Sequence, residues 1–245
     1  MKAIRAIRAL GPIDAQSVRR DSLLRWMVVI PLFVTALLRW GVPALAARVT
    51  AQFGFDLAPY YPLVMGLILL MTPILFGVVI GFLLLDQRDD HTLTALQVTP
   101  LTLNGYLLYR VAGPMLLSVL VTMVVFPLTG LVRLGTLPLL AAALSAAPLA
   151  PLYALFLASV AENKVQGFAL QKAMGIVLLP PMAAYFIHAP WQPVLGLVPT
   201  YWPVRCFWAL LAGEAGWWAY WLASVLIQAL LLAMLVRRFN RVMSR

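Results

Sequence analysis

The sequence is short of charge. Only 11% of its 245 residues are Asp, Glu, Lys or Arg, against about 25% in soluble domains. Hydrophobic residues make up 63%. That balance excludes a large soluble core and implies a polytopic membrane protein. Cysteine is nearly absent: Cys206 stands alone, so no internal disulfide and no multi-cysteine metal site can form. Histidine is scarce too, with only His91 and His188, and they lie too far apart for one zinc centre. No GxxxxGK[ST] phosphate loop occurs, so ATP is not bound in that way.

What the chain does have is long apolar runs. A bilayer span needs about 20 such residues. Six runs meet this, at about Leu23–Ala47, Pro62–Leu85, Gly105–Val132, Leu137–Ala161, Gly167–Ile187 and Trp217–Val236. They are continuous, unlike the short alternating strands of outer-membrane barrels. The expected fold is all-α, a single transmembrane domain over 1–245 with six helices. Ala44-Leu45-Ala46 resembles a signal-peptide cleavage site, but the run before it is long for a signal sequence.

The net charge of +10 would suit nucleic acid, but the basic residues sit at the ends of the apolar runs, so no nucleic-acid partner is expected. With the N-terminus inside, only Arg39, Arg48, Arg133 and Arg205 fall outside, and the other 14 of the 18 Lys and Arg lie inside. The positive-inside rule therefore places both termini in the cytoplasm, in the cell inner (plasma) membrane. In residues 1–22, Ile4, Ile7 and Leu10 alternate with arginines. This suits an amphipathic helix on the anionic inner lipid surface. Arg39, beside Trp40, is expected to snorkel to the outer interface. Residues 48–61 read as a polar loop and Arg133–Thr136 as a tight turn. Residues 188–216 carry Pro190, Pro193, Pro199 and Pro203 among aromatics. Such a segment breaks helices and favours the interface, so an outward re-entrant region is expected between spans five and six.

Neither histidine is placed at membrane depth, as a Ser-His intramembrane hydrolase would require. No Asp or Glu falls inside a span, although proton-coupled carriers usually need a buried carboxylate or histidine relay. Sodium sites built from backbone carbonyls remain open. An ion-gradient-driven secondary carrier and a non-transport membrane enzyme or assembly factor therefore stand as alternatives. Energy for uphill transport would otherwise enter through the cytoplasmic loops.

The longest polar interval, Asp86–Arg110, holds three of the eight acidic residues. The loop proper is expected over 86–104. Asp89 and Asp90 can cap a helix start, where free N–H groups favour an anion. That helix would run from His91 to Val98, about 12 Å. Thr99 precedes Pro100 and stops it. Leu93 and Leu96 form one apolar face. Such an element can act as a lever for a cytoplasmic partner, or rest on the lipid surface within a polar loop. The DxxDDH pattern of Asp86, Asp89, Asp90 and His91 is a poor metal site, since two adjacent Asp and one His have common solvated explanations. A second polar interval, Glu162–Lys172, reads ENKVQGFALQK.

These residues resemble the permease subunits of type-2 ATP-binding-cassette (ABC) exporters. The resemblance is carried by Asp86, Arg88, Asp89 and Asp90, then Thr92, Leu93, Leu96, Val98, Thr99, Pro100 and Leu101, and then Tyr106, Leu107, Leu108 and Arg110. Glu162-Asn163-Lys164-Val165-Gln166-Gly167 resembles the family's second cytoplasmic loop. Asp90-His91 departs from it, since many members carry Glu-Gly. Asp86–Arg110 and Pro199-Thr200-Tyr201-Trp202-Pro203 are similar to permeases for fluoroquinolone-type drug export. The resemblance implies a non-catalytic subunit of an alternating-access exporter. A second permease, identical or paralogous, would complete the pathway. Separate ABC ATPase subunits would bind ATP and Mg, so this chain itself would hold no cofactor. Residues 91–98 would be the coupling helix, with Asp89, Asp90, His91, Thr92, Leu93 and Leu96 at the ATPase. Glu162, Asn163 and Lys164 would be a secondary contact. An apolar path with hydroxyls at Ser118, Thr122 and Ser159 would suit hydrophobic or amphipathic cargo such as a drug, lipid or modified peptide. The same hydroxyls also suit interhelical packing.

Overall fold

A computed structural model of the chain describes residues 11–12, 15–16, 19–20, 22–89, 103–187 and 192–243. Every regular element among them is helical. Six helical stretches are long and apolar enough to cross a membrane: Val29–Phe53, Ala58–Arg88, Tyr109–Thr129, Thr136–Val160, Lys164–Phe186 and Trp217–Phe239. The expected all-helical, six-span architecture is therefore present. The surface helix expected over 1–22 falls largely outside the described residues.

Helix α1 spans Ser22–Phe53. It ends at Gly54, whose φ of 66° is left-handed and open to glycine without strain. The expected loop over 48–61 is correspondingly shorter. Asp56 Oδ1 then accepts from the Ala58 amide at 2.9 Å, starting a 3-10 turn at Ala58–Tyr60. Helix α2, Tyr61–Asp89, follows directly. Asp86 and Arg88 thus ride on a membrane helix instead of in a loop. No proline or glycine interrupts α2 between Gly81 and Asp89, so the helix runs on past the apolar boundary at Leu85.

Helix α2 is the axis of the bundle. Met65, Leu69, Leu70, Val79 and Phe82 are all buried. It packs most closely on α5 (Leu149–Val160). A Cβ added at Gly77 would lie 2.4 Å from the Ala150 carbonyl oxygen and 2.7 Å from Tyr153 Cβ. At Gly81 it would lie 3.0 Å from Leu157 Cβ. The pair, four residues apart, lets two backbones touch where no larger residue fits. Gly77→Ala is therefore expected to cost about 3 kcal/mol, the upper range for overpacking, because the obstacle is backbone. Thermal denaturation of the detergent-solubilised chain checks this. Gly216→Ala, where an added Cβ meets nothing within 4 Å, should leave Tm unchanged.

Helix α3 spans Leu103–Thr129 and α4 spans Thr136–Ala146. The connection is 130–135, wider than the expected turn at 133–136, with Gly130 at φ 69°. Span four is not continuous. It breaks at Ala147-Pro148 between α4 and α5, because Pro148 lacks the N–H that would continue the ladder. Just before the break, the Ser145 carbonyl accepts from Ser224 Oγ and from Gln228 Nε2, each at 2.9 Å. Polar side chains of α10 (Trp217–Met243) thus take up a carbonyl at the kink, as membrane depth requires.

Span five is also compound. Helix α6 spans Lys164–Met174, a 3-10 turn covers Gly175–Leu178, and α7 spans Leu179–Phe186 with Pro180 in its first turn. The polar interval expected over 162–172 thus shrinks to the α5–α6 joint. Asn163 explains the early start. Its side chain accepts from the Gln166 amide at 2.9 Å, and Gln166 Oε1 accepts from the Glu162 amide at 2.6 Å. Together they satisfy two free donors at the helix entrance. Helices α8 (Gln192–Leu195) and α9 (Tyr201–Ala212) follow. Between them Thr200 donates to the Val177 carbonyl, halfway along span five. Gly213, at φ 69°, closes α9, and Glu214 N bonds back to the Ala209 carbonyl at 2.9 Å, a Schellman ending.

Candidate functional site: the polar end of the bundle

Six antiparallel spans have two ends. One gathers Arg39, Asp56, Tyr60 and Glu214. There Arg39 Nη1 donates to the Leu128 carbonyl at 2.8 Å, at the last turn of α3, and its side chain is exposed. The other end gathers the chemistry singled out from the sequence. Here α2 finishes, α3 begins, α5 hands over to α6, and Phe239 of α10 packs beside Leu84 and Ala158.

Arg88, in the last turn of α2, reaches across to the end of α5. Its guanidinium donates to the carbonyls of Ala158 at 3.2 Å, Ala161 at 2.8 Å and Glu162 at 2.5 Å. The C-terminus of a helix presents unpaired carbonyls and partial negative charge, and arginine's planar fork suits several at once. Two residues earlier, Asp86 pairs with Lys164 at 2.9 Å. Both side chains are about one-third exposed, so this bridge contributes little by itself. Arg110 of α3 is 1% exposed, and its Nη2 donates to Gln87 Oε1 at 2.7 Å. Hydrogen bonds therefore join α2 to α3 and α2 to the α5–α6 joint, all within one turn of Arg88.

The residues proposed from the sequence fall into three groups. Asp89 is the last residue of α2; Asp90, His91, Thr92, Leu93 and Leu96 lie outside the described residues, as does the expected helix at 91–98. Glu162, Asn163 and Lys164 come together at the α5–α6 joint, bound to Arg88, Gln166 and Asp86 respectively. Ser118, Thr122 and Ser159 are buried and do not form one cluster of mutual bonds. Ser118 donates to the Met115 carbonyl at 2.8 Å, Ser159 to that of Phe156 at 3.2 Å, and Thr122 pairs with Thr72 across α2 and α3.

The role of Arg88 and Arg110 as internal ties was missed. The signal was present: each is a lone arginine at the boundary of an apolar run, where a buried guanidinium needs several acceptors. The Ser224/Gln228 pair was missed as well, although two polar residues at i and i+4 share a helix face. A cavity of about 290 Å³ was not foreseeable. It lies between α5, the break in span five and α10.

A six-span, all-helical chain whose charged groups tie its helices together at their ends is a multi-pass membrane protein. The family model described as "Fluoroquinolones export permease protein Rv2686c-like" matches residues 14–236, and the chain belongs to that family. It is 33% identical over 240 residues to the Fluoroquinolones export permease protein Rv2686c of Mycobacterium tuberculosis strain H37Rv, covering 96% of this chain and 94% of the relative. The same figures hold for the protein MT2760 of the same name from strain CDC 1551. No solved structure matches the chain.

Proposed function

We propose that this chain is the membrane-spanning subunit of an ATP-driven ABC exporter, working with separate ATPase subunits and a second permease. The polar end faces the cytoplasm, in accord with the distribution of Lys and Arg. The Thr200–Val177 contact supports reading 188–216 as a re-entrant segment entered from outside. Fluoroquinolone-like, amphipathic aromatic compounds are the proposed cargo, by similarity to the named relatives.

The observation that carries this reading is the set of bonds made by Arg88. Segment 90–102 hangs from two stems, the end of α2 and the start of α3. Arg88 ties the first stem to the end of α5, Asp86 ties it to Lys164 of α6, and Arg110 ties the second stem to the first. A force on the segment would move four helices together. That is what a coupling element needs, and an isolated surface loop does not.

Inverted vesicles containing the chain and its co-purifying ATPase should accumulate norfloxacin only with hydrolysable ATP. Uptake should persist when a protonophore collapses the proton gradient. Loss of uptake under the protonophore, with ATP intact, would establish a gradient-driven carrier instead.

A further inference from the structure

We propose that helix α7, the outer piece of span five, is a hinged flap that swings away from the bundle to let cargo leave. Its latch is the Tyr185 hydroxyl, bound to the Pro59 carbonyl. The release role rests on the exporter reading above; the hinge and the latch do not.

The hinge follows from two adjacent prolines. Pro180 and Pro181 lack the N–H groups that would bond to the carbonyls of Ile176 and Val177, four residues back. The ladder of span five stops there, and a 3-10 turn at Gly175–Leu178 takes its place, a form that often marks a hinge inside a helix. Two substitute donors fill the gap. The Leu179 amide bonds to the Ile176 carbonyl, and the Thr200 hydroxyl to that of Val177. Thr200 is fully buried, so the base of α7 stays pinned. At Gly175 an added Cβ would meet nothing within 4 Å, so no neighbour blocks the bend.

Beyond the hinge α7 is thinly held. Of its eight residues only Pro181 and Ala184 are buried, while Leu179, Met182 and Phe186 are exposed. The bonds gather at its tip. Tyr185 donates to the Pro59 carbonyl in the loop before α2, and its ring meets that of Trp208 edge to face at 5.2 Å. Trp208 Nε1 in turn donates to the Pro62 carbonyl at 3.0 Å. A cavity of about 350 Å³ lies beside the tip, walled by Pro62, Ala184, Tyr185, Trp208 and Leu211. A close-packed interior resists movement; here opening breaks one neutral hydrogen bond and a few ring contacts. The Tyr60 ring, 6.3 Å from that of Tyr185, places the tip at the end of the bundle opposite Arg88. Cargo driven from the polar end would meet this flap last.

The test is a labelling rate, measured on Ala184→Cys in the full chain in lipid nanodiscs, without ATPase. The reagent is a bulky, membrane-impermeant maleimide, too large for the cavity. Ala184 is 2% exposed, so its labelling needs local opening and should be slower than that of Phe186→Cys, an exposed position on the same helix. Native Cys206, 0% exposed, reacts only on general loosening and serves as the internal control. Adding Tyr185→Phe should raise the Ala184→Cys rate about 5-fold, as expected for one lost hydrogen bond, and leave the Cys206 and Phe186→Cys rates unchanged. Pro181→Cys, at the other buried position of α7, is the second reporter should Ala184→Cys fail to fold. An unchanged reporter rate in Tyr185→Phe would overturn the proposal. In the complex with its ATPase, trapping with ATP and vanadate should raise the Ala184→Cys rate with the latch unaltered. If ATP drives uptake and trapping leaves that rate unchanged, α7 is not the release flap and the proposal fails. If Tyr185→Phe opens the flap but uptake does not need ATP, the exporter reading fails and the latched hinge stands.

Discussion

Cargo-stimulated ATP hydrolysis is expected to vanish when Leu93 and Leu96 are both replaced by aspartate. In the proposed exporter these leucines are the apolar face that enters a groove on the ATPase. Removing two leucines from such a groove forfeits about 2 kcal/mol each. Placing a carboxylate there adds a desolvation cost of at least ~1 kcal/mol per site. The total of about 6 kcal/mol exceeds a 10,000-fold loss of affinity. Residues 91–98 lie between the stems and outside the spans, so the variant should insert normally and keep its Tm. The measurement is the ratio of ATPase rates with and without norfloxacin, in the co-purified complex. An undiminished ratio would remove the lever role from this segment.

Arg88→Leu should produce a different defect. The ATPase should still bind, because the coupling segment is untouched, but the stimulation ratio should fall at least about 10-fold. The reason is geometric. Three carbonyls at the end of α5 lose their donor. Charge-assisted hydrogen bonds contribute about 1.5–3 kcal/mol each; half-exposure at this end reduces the sum to about 3 kcal/mol. With that tie gone, only the Asp86–Lys164 bridge and the packing deeper in the bundle link the α2 stem to the α5–α6 joint, so movement of the stem is passed on less fully. Arg88→Lys should be intermediate, since a single ammonium cannot span three acceptors as a fork does. Gly77→Ala supplies the comparison. It too lowers stability, yet leaves the tie in place. If both variants reduce stimulation in proportion to their loss of Tm, Arg88 serves folding and not coupling.

The two arginines show where reading the residues succeeded and where it stopped. Arg88 and Arg110 were recognisable as boundary charges, and they contributed to the count that orients the chain. Their partners were not recognisable. Gln87, which accepts from Arg110, is 23 residues from it in sequence, and Ala158, Ala161 and Glu162, which accept from Arg88, are about 70 residues away. Hydrophobic patterning says that a helix is apolar, not which carbonyls its ends will meet. Loop boundaries failed for a related reason. Composition changes at Leu85 and again at Gly167, whereas the helix ladder continues to Asp89 and begins at Lys164. A backbone hydrogen bond is indifferent to whether its residue is polar. Caps such as Asn163 decide where the ladder starts.

By itself the sequence determined that this is a six-span helical membrane protein with no phosphate loop and no metal-binding cluster of cysteines. Those conclusions follow from the cost of putting charge and unpaired backbone into lipid, which acts on every residue separately. The tertiary structure decided the rest. It brought Gly77 and Gly81 against α5, set Ser224 and Gln228 of α10 on the carbonyl beside the break in span four, and tied α2 to the α5–α6 joint through Arg88. It also left a cavity of about 290 Å³ between α5, the break in span five and α10. Each depends on a close approach between segments distant in sequence, which one-dimensional periodicity does not encode.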